Sequence, residues 1–160
     1  MLKSRVQTAV DYYAKSGYNC SQAVAVTYAD LLGLDPMACF KGMEGFGSGM
    51  GTRLGTCGAI SGAIYLAGFV TSTGHMDDDK KNKSKKESYG LAEKIIKGFF
   101  EKNRTITCGD LKETGSDKFR SCLDCIADAA ILTEKYIFPG QFEEPSYFQD
   151  NASLHQKNGE

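Results

Sequence analysis

The chain has 160 residues, a length typical of one domain that folds without disulfide staples. Hydrophobic residues make up 41% of it and charged residues 24%, which is the ordinary balance of a globular protein. The net charge of −1 argues against a nucleic-acid partner, because such a partner requires a basic protein surface. We therefore predict one globular domain that does not bind nucleic acid.

The N-terminal segment has no apolar signal core, which predicts a cytoplasmic protein. The longest apolar run, 57–70, is too short to cross a bilayer, so we expect no membrane insertion. The chain nevertheless contains six cysteines. In a reducing compartment, that number favours metal binding or redox chemistry over structural disulfides.

Helical periodicity recurs along the chain, and alternating strand patterns are nearly absent. Two apolar stripes come first and stop at Gly17 and Gly33, and Asp35 and Pro36 then open a short helix. The run 57–70 is apolar almost all round and predicts a central buried helix. Two further stripes follow, at 89–100 and 123–137.

These patterns predict an all-α fold, a single-domain antiparallel bundle of about five to six helices. The helical domain is expected to occupy residues 1–138. An irregular C-terminal tail, 139–160, is expected to follow it, with Phe142, Tyr147 and Phe148 as candidates for packing back on the domain.

Seven glycines lie between positions 42 and 58, just before and at the start of the predicted central helix. The segment lacks the GxGxxG and GK[ST] patterns of nucleotide-binding loops. Two interpretations stay open for it. It is either a flexible connector, or a loop whose backbone N–H groups come close to the centre held by Cys57 and donate hydrogen bonds to its sulfurs.

Four of the six cysteines directly follow a residue type that commonly caps the N-terminus of a helix. The pairs are Asn19–Cys20, Thr56–Cys57, Thr107–Cys108 and Ser121–Cys122, and three of them have a capping-box partner in Gln22, Asp110 or Asp124. Each of the four cysteines is therefore predicted to begin a helix, where the dipole and free N–H groups lower the pKa of a thiol. Cys39 and Cys125 lack this context.

The spacing of the cysteines separates the candidate chemistries. The chain lacks the two CxxC pairs of a zinc ribbon, and the lone CxxC at 122–125 lacks the βαβ context of a thioredoxin-like motif. Four separated cysteines suit an iron–sulfur cluster. We predict that such a cluster is bound for electron transfer, and the ligands are Cys20, Cys57, Cys108 and Cys122. The alternatives are a metal-free thiol/disulfide redox protein and a zinc-stabilised accessory protein.

These elements resemble the C_GCAxxG_C_C family over residues 5–135. The matching elements are residues 19–24, 45–51 and 56–62, together with Cys108 and Cys122. The resemblance implies a redox-active protein whose four characteristic cysteines are Cys20, Cys57, Cys108 and Cys122. Cys125 stands where the family pattern has no cysteine, which leaves it the role of a substitute ligand or of a resolving thiol.

The resemblance also bears on cofactors and partners. A related domain occurs in split-Soret type cytochromes, where an iron–sulfur centre is proposed, but the CxxCH haem motif is absent from this chain. Family members are often encoded beside transporter genes, which implies an association with a membrane transporter system. The redox partner is unidentified, and formation of a homo-oligomer stays open.

Overall fold

The structure is a computed structural model that describes residues 1–76, 84–112 and 121–145. These residues form seven α-helices and no β-strand, which confirms the all-α domain. The helices are α1 (Val6–Ser16), α2 (Cys20–Tyr28), α3 (Pro36–Met43), α4 (Gly58–Thr71), α5 (Lys85–Asn103), α6 (Cys108–Leu111) and α7 (Cys122–Tyr136). The number exceeds the five to six predicted because α6 is a single turn, too short to produce an apolar stripe.

The helix ends lie where the local signals predict them. Gly17 closes α1 with a φ of 75°, and Gly33 has a φ of 66° after the 3-10 turn Ala29–Leu32 that extends α2. Both angles lie in the left-handed region, which glycine adopts without steric cost. At the start of α3, the Asp35 carboxylate accepts the backbone N–H of Ala38 at 3.1 Å.

Helix α4 is the centre of the domain and packs against α2, α5 and α7. Its contact with α2 is very close at Gly62, where an added Cβ would lie 2.7 Å from the carbonyl oxygen of Ser21. Glycine allows the two backbones to approach there. The side chains that α4 buries are Ile60, Leu66 and three alanines, Ala59, Ala63 and Ala67.

Helix α5 covers one side of α4 and buries only part of its predicted apolar stripe. Ile95 and Phe99 are fully buried, whereas Tyr89 and Phe100, which belong to the same predicted stripe, are exposed. Across the described parts of the chain, none of the helices combines the length and hydropathy needed to span a membrane.

The chain after α7 returns to the body of the domain. Phe142 makes an edge-to-face contact with Tyr28, with ring centroids 5.9 Å apart. This packing of Phe142 agrees with the sequence prediction. Tyr147 and Phe148 lie outside the described residues, and the boundary between domain and tail after residue 138 stays a prediction.

Candidate thiol site

Cys20 is the first residue of α2 and follows a complete capping box. The Asn19 side chain accepts the backbone N–H of Gln22, and the Gln22 side chain accepts the backbone N–H of Asn19, both at 3.0 Å. The Cys20 sulfur lies against the start of α4, because a Cβ added to Gly58 would be 2.5 Å from it. The cap therefore fixes Cys20 beside the N-terminus of the central helix.

Cys122 is the first residue of α7, again behind a capping box. The Asp124 N–H donates to the Ser121 hydroxyl at 3.1 Å, and the Ser121 N–H donates to the Asp124 carboxylate at 3.4 Å. The half-buried Cys122 thiol interacts with the Tyr13 hydroxyl and the Lys112 ammonium group and contributes to the raised pKa of each. Two groups from outside α7 therefore lie beside this sulfur.

The prediction for Cys57 is wrong in one respect. Cys57 is not the first residue of α4 but its N-cap, so Thr56 does not cap the helix. Thr56 instead pairs with Thr107 in an isolated antiparallel bridge, and the Cys57 N–H donates to the Ile106 carbonyl at 2.7 Å. This pairing holds Thr56 in an extended conformation, which delays the start of the helix by one residue.

Cys108 begins the one-turn helix α6, as predicted, but without the predicted cap. The Thr107 side chain makes no capping hydrogen bond, and the Asp110 carboxylate accepts the hydroxyl of Thr105 at 3.3 Å instead. The backbone fixes this cysteine, because the Cys108 N–H donates to the Gly55 carbonyl at 3.0 Å. The segment before α4 therefore positions Cys57 and Cys108 together.

The different caps predict different costs of substitution. Ser121→Ala removes a real capping hydrogen bond and should lower the free energy of unfolding by about 0.5–2 kcal/mol, measured by urea denaturation. Thr107→Ala is the matched control, because its side chain makes no cap, and we expect a smaller loss. A loss for Thr107→Ala as large as that for Ser121→Ala would contradict the assignment of caps.

The four predicted cysteines lie close enough for their charges to interact. The negative charge of a Cys57 thiolate raises the pKa of Cys20 and of Cys108, and Cys122 raises both further. Cys39 lies elsewhere, with its sulfur 3.7 Å from the Tyr65 hydroxyl. The structure thus brings together the four cysteines with the shared sequence context and leaves Cys39 apart.

Cys125, for which the sequence left the role of a substitute ligand or of a resolving thiol, is a fifth member. Its side chain is 0% exposed, and its interaction with the Cys57 thiol is the largest influence on the pKa of both residues. The available signal was its position three residues after Cys122, because residues three apart are neighbours on a helix surface. We refer to the five residues Cys20, Cys57, Cys108, Cys122 and Cys125 as the thiol cluster.

Cys57 has the lowered pKa in the thiol cluster. The hydrogen bond from Cys125 is the main cause, and burial opposes it. The Cys57 side chain forms no close capping hydrogen bond, but its sulfur faces the free N–H groups of Ala59 and Ile60, which lower the pKa further. Together with the positive charge of Lys112, these effects bring the pKa of Cys57 to about 7.

The predicted lowering of pKa is wrong for Cys20 and Cys108. Burial, followed by the charge of Cys57, raises the pKa of Cys20 to about 11, although the N–H groups of Ser48 and Ser21 oppose this. The same two causes raise the pKa of Cys108. The pKa of Cys125 is raised well above its usual range. Its interaction with Cys57 is the largest cause, and burial is the second. Desolvation and repulsion between like charges therefore raise these pKa values by more than the helix N-termini lower them.

The glycine-rich segment packs against the thiol cluster. A Cβ added to Gly49 would lie 2.5 Å from the Cys108 Cβ, and the Ser48 N–H points at the Cys20 sulfur. The segment includes the π-like turn Gly49–Arg53. It is therefore more than a connector, and the cysteines of the site that it approaches are Cys20 and Cys108.

The ammonium group of Lys112 also lies among the sulfurs of the thiol cluster. Burial lowers the pKa of Lys112, but the charges of Cys125, Cys122 and Cys57 and a hydrogen bond to Cys122 outweigh this and raise it. The ammonium group thus favours negative charge in the thiol cluster. Arg53 is exposed and lowers the pKa of Cys108 by less than Lys112 does.

Histidine, cysteine and carboxylate side chains are the groups that hold metal ions in proteins. Within residues 1–76, 84–112 and 121–145, no group of three or more His, Cys, Asp or Glu side chains is arranged to hold a metal ion. The thiols suit an iron–sulfur cluster by their chemistry, but they do not surround a common point. Their side chains would have to reorient to become ligands.

Residues 18–136 match the C_GCAxxG_C_C family, described as "Putative redox-active protein". The match includes all four predicted cysteines and far more than half of the chain. The chain belongs to the C_GCAxxG_C_C family. No curated protein and no solved structure matches it. Membership in C_GCAxxG_C_C places the chain among proteins described as redox-active, and the thiol cluster is the part of it suited to that chemistry.

Proposed function

We propose that this C_GCAxxG_C_C protein is a cytoplasmic thiol-based redox protein, in which two thiols of the cluster cycle between dithiol and disulfide. The observation that carries the proposal is the gathering of five of the six cysteines around the N-terminus of α4. All six cysteines are free thiols. A group of adjacent free thiols can store two electrons without any other cofactor.

The division of charge within the cluster supports the same chemistry. Thiol exchange needs a thiolate as the nucleophile and a second thiol as its partner. The hydrogen bond from Cys125 favours the thiolate of Cys57, whereas burial and the Cys57 charge keep Cys20 and Cys108 protonated. The cluster therefore combines one ionised sulfur with neutral thiols beside it.

A redox titration of the full chain tests the proposal. The protein is equilibrated with buffers of increasing ratio of disulfide to dithiol, denatured, and alkylated to count free thiols. We expect two cluster thiols to disappear together at one potential, while Cys39 stays free because it lies apart. If all six thiols stay free until the protein loses its fold, the proposal is wrong.

The second candidate is an iron–sulfur cluster for electron transfer, bound by Cys20, Cys57, Cys108 and Cys122. Five cysteine side chains in one region of the domain favour it, because iron–sulfur clusters bind to cysteine. Such a cluster would supply one-electron transfer. Anaerobic purification followed by iron and sulfide analysis separates the candidates, since a protein without iron and sulfide would exclude the iron–sulfur cluster. Stoichiometric zinc would instead support the zinc-stabilised accessory protein, whose transporter partner is proposed from the family resemblance.

A further inference from the structure

A cavity of about 570 Å³ lies between α5, α7 and the chain segment 140–145. Small-molecule sites in proteins typically have volumes of about 300–1,000 Å³, so the cavity has a suitable size. None of the six cysteines, all of which lie in the described part of the chain, contributes to its lining. The cavity is therefore a candidate binding site that is separate from the thiol cluster and does not depend on the proposed function.

The N-terminal segment of the chain holds one wall of the cavity, the segment 140–145, in place. The Leu2 N–H donates to the Gln141 carbonyl at 2.8 Å, and the Glu143 N–H donates to the Leu2 carbonyl at 2.8 Å. These bonds form a parallel bridge between Leu2 and Phe142. The wall is thus already ordered, and a ligand would not have to order it on binding.

Part of the lining is apolar. Gly98 of α5 and Leu132 of α7 meet closely, since a Cβ added to Gly98 would lie 2.6 Å from the Leu132 Cδ2 atom. Ile131, Phe142 and Pro145 add half-buried apolar side chains to the lining. The hydrophobic effect would favour the burial of an aromatic or aliphatic group against this surface.

Carboxylates outnumber cations in the lining. Its charged residues are four acids and two bases: Asp128, Glu134, Glu143, Glu144, Lys102 and Lys135. The formal net charge of the lining is therefore −2 (two minus four). This balance favours a ligand with a positive charge.

The two buried carboxylates are held by other parts of the chain. Asp128 is 5% exposed and forms an ion pair with Lys102. Glu134 is 6% exposed and accepts hydrogen bonds from the Arg5 backbone N–H at 2.7 Å and from the Tyr28 hydroxyl at 2.9 Å. These contacts fix the inner charges of the cavity, so its entrance decides the charge of a ligand that can enter.

The entrance consists of the exposed lining residues Lys135, Glu143 and Glu144. The Lys135 ammonium group lies over the Tyr136 ring, 5.1 Å from its centroid. The two adjacent glutamates give the entrance an excess of negative charge. An ammonium group would be attracted there, whereas a carboxylate would be repelled.

We propose that this cavity binds a small organic amine, whose apolar part lies against Leu132 and Phe142 and whose ammonium group lies beside Glu143 and Glu144. The apolar lining selects for the body of the ligand, and the glutamates select for its charge. An anion of the same shape would meet the same apolar surface but an unfavourable charge.

Tryptamine and indole-3-propionate are matched probes, because they share the indole ring and the two-carbon chain and differ in the sign of their charge. The chain has no tryptophan, so indole fluorescence, excited where tyrosine absorbs little, reports binding directly. In a titration of the full chain we expect one tryptamine site, and binding of indole-3-propionate that is weaker by roughly tenfold or more. Tryptamine affinity should fall as the salt concentration rises.

The double variant Glu143→Gln, Glu144→Gln removes both charges at the entrance and keeps the size of the side chains. It should weaken tryptamine binding by roughly tenfold. Glu93→Gln, which removes an exposed carboxylate of α5 that does not line the cavity, is the control and should leave the affinity unchanged.

Equal affinity for the two probes, or unchanged tryptamine binding in the double variant, would overturn the inference. So would the absence of tryptamine binding to the full chain, the result expected if residues 146–160 occupied the cavity. The comparison of the two probes in the wild-type protein gives an answer without any variant. All of these outcomes leave the proposed thiol function untouched, because the cavity contains no cysteine.

Discussion

Replacing Cys57 with Ser should remove the thiolate that titrates near neutral pH. The pKa of Cys57 is lowered from the ordinary value of 9.0 to about 7, so in the wild-type protein the thiolate forms as the pH rises through about 7. Cys20 and Cys108 should not replace this step, because burial, the largest cause of their raised pKa values, stays in the variant. The ultraviolet absorbance of the thiolate, followed against pH, measures the effect without requiring a reagent to enter the buried site.

Two further variants show whether the cause is the one identified above. Cys39→Ser replaces a buried cysteine away from the cluster and should leave the step near pH 7 unchanged. Cys125→Ala removes the main hydrogen bond to Cys57, so the midpoint should move to higher pH, whereas Cys125→Ser keeps a donor and should move it less. A step that survives in Cys57→Ser, or an unchanged midpoint in Cys125→Ala, would contradict this account.

Adding one methyl group at Gly58 should destabilise the domain strongly. An alanine Cβ there would lie 2.5 Å from the Cys20 sulfur and 2.7 Å from the carbonyl oxygen of Phe46. The Gly47 Cα, at 3.1 Å, closes the same space. Two of these neighbours are backbone atoms that cannot rotate away. Gly58→Ala should therefore lower the free energy of unfolding by about 1–3 kcal/mol or more.

Gly68→Ala is the matched control, because it makes the same substitution on the same helix. No atom lies within 4 Å of the Cβ that it would add. Alanine in an open helical position stabilises by about 0.5–1 kcal/mol relative to glycine. Urea denaturation of the two variants should give changes of opposite sign. Equal stability of both variants would show that the start of α4 is not packed as closely against Cys20 as the structure has it.

These experiments address different properties of one region. The titration concerns the charge on Cys57, and the glycine pair concerns the packing that holds Cys20 beside it. If Gly58→Ala also shifts the midpoint of the step near pH 7, packing and charge are linked. The reason is that the substitution moves the Cys20 sulfur, whose charge interacts with that of Cys57. The glycine-rich segment then acts as part of the thiol site as well as part of the fold.

The helix starts and ends that depend on neighbouring residues could be predicted from the sequence. The start of α2 depends on hydrogen bonds between Asn19 and Gln22, and the start of α7 depends on those between Ser121 and Asp124, each pair within three residues. Gly17 closes α1 through its own backbone conformation. Such interactions involve neighbours along the chain, so residue type and spacing are sufficient to predict them. The apolar run of α4, which is also a property of the local sequence, predicted that this helix is central and buried.

The contacts and pKa values of the cysteines depend on the tertiary structure. The bridge between Thr56 and Thr107 joins segments 51 residues apart (107 minus 56), and it made Cys57 the cap of α4. Cys125 meets Cys57 across two packed helices. The pKa of Cys20 rises because burial and a neighbouring sulfur outweigh its helix terminus. Desolvation and charge act through space, between residues that folding brings together, so no pattern along the chain determines them.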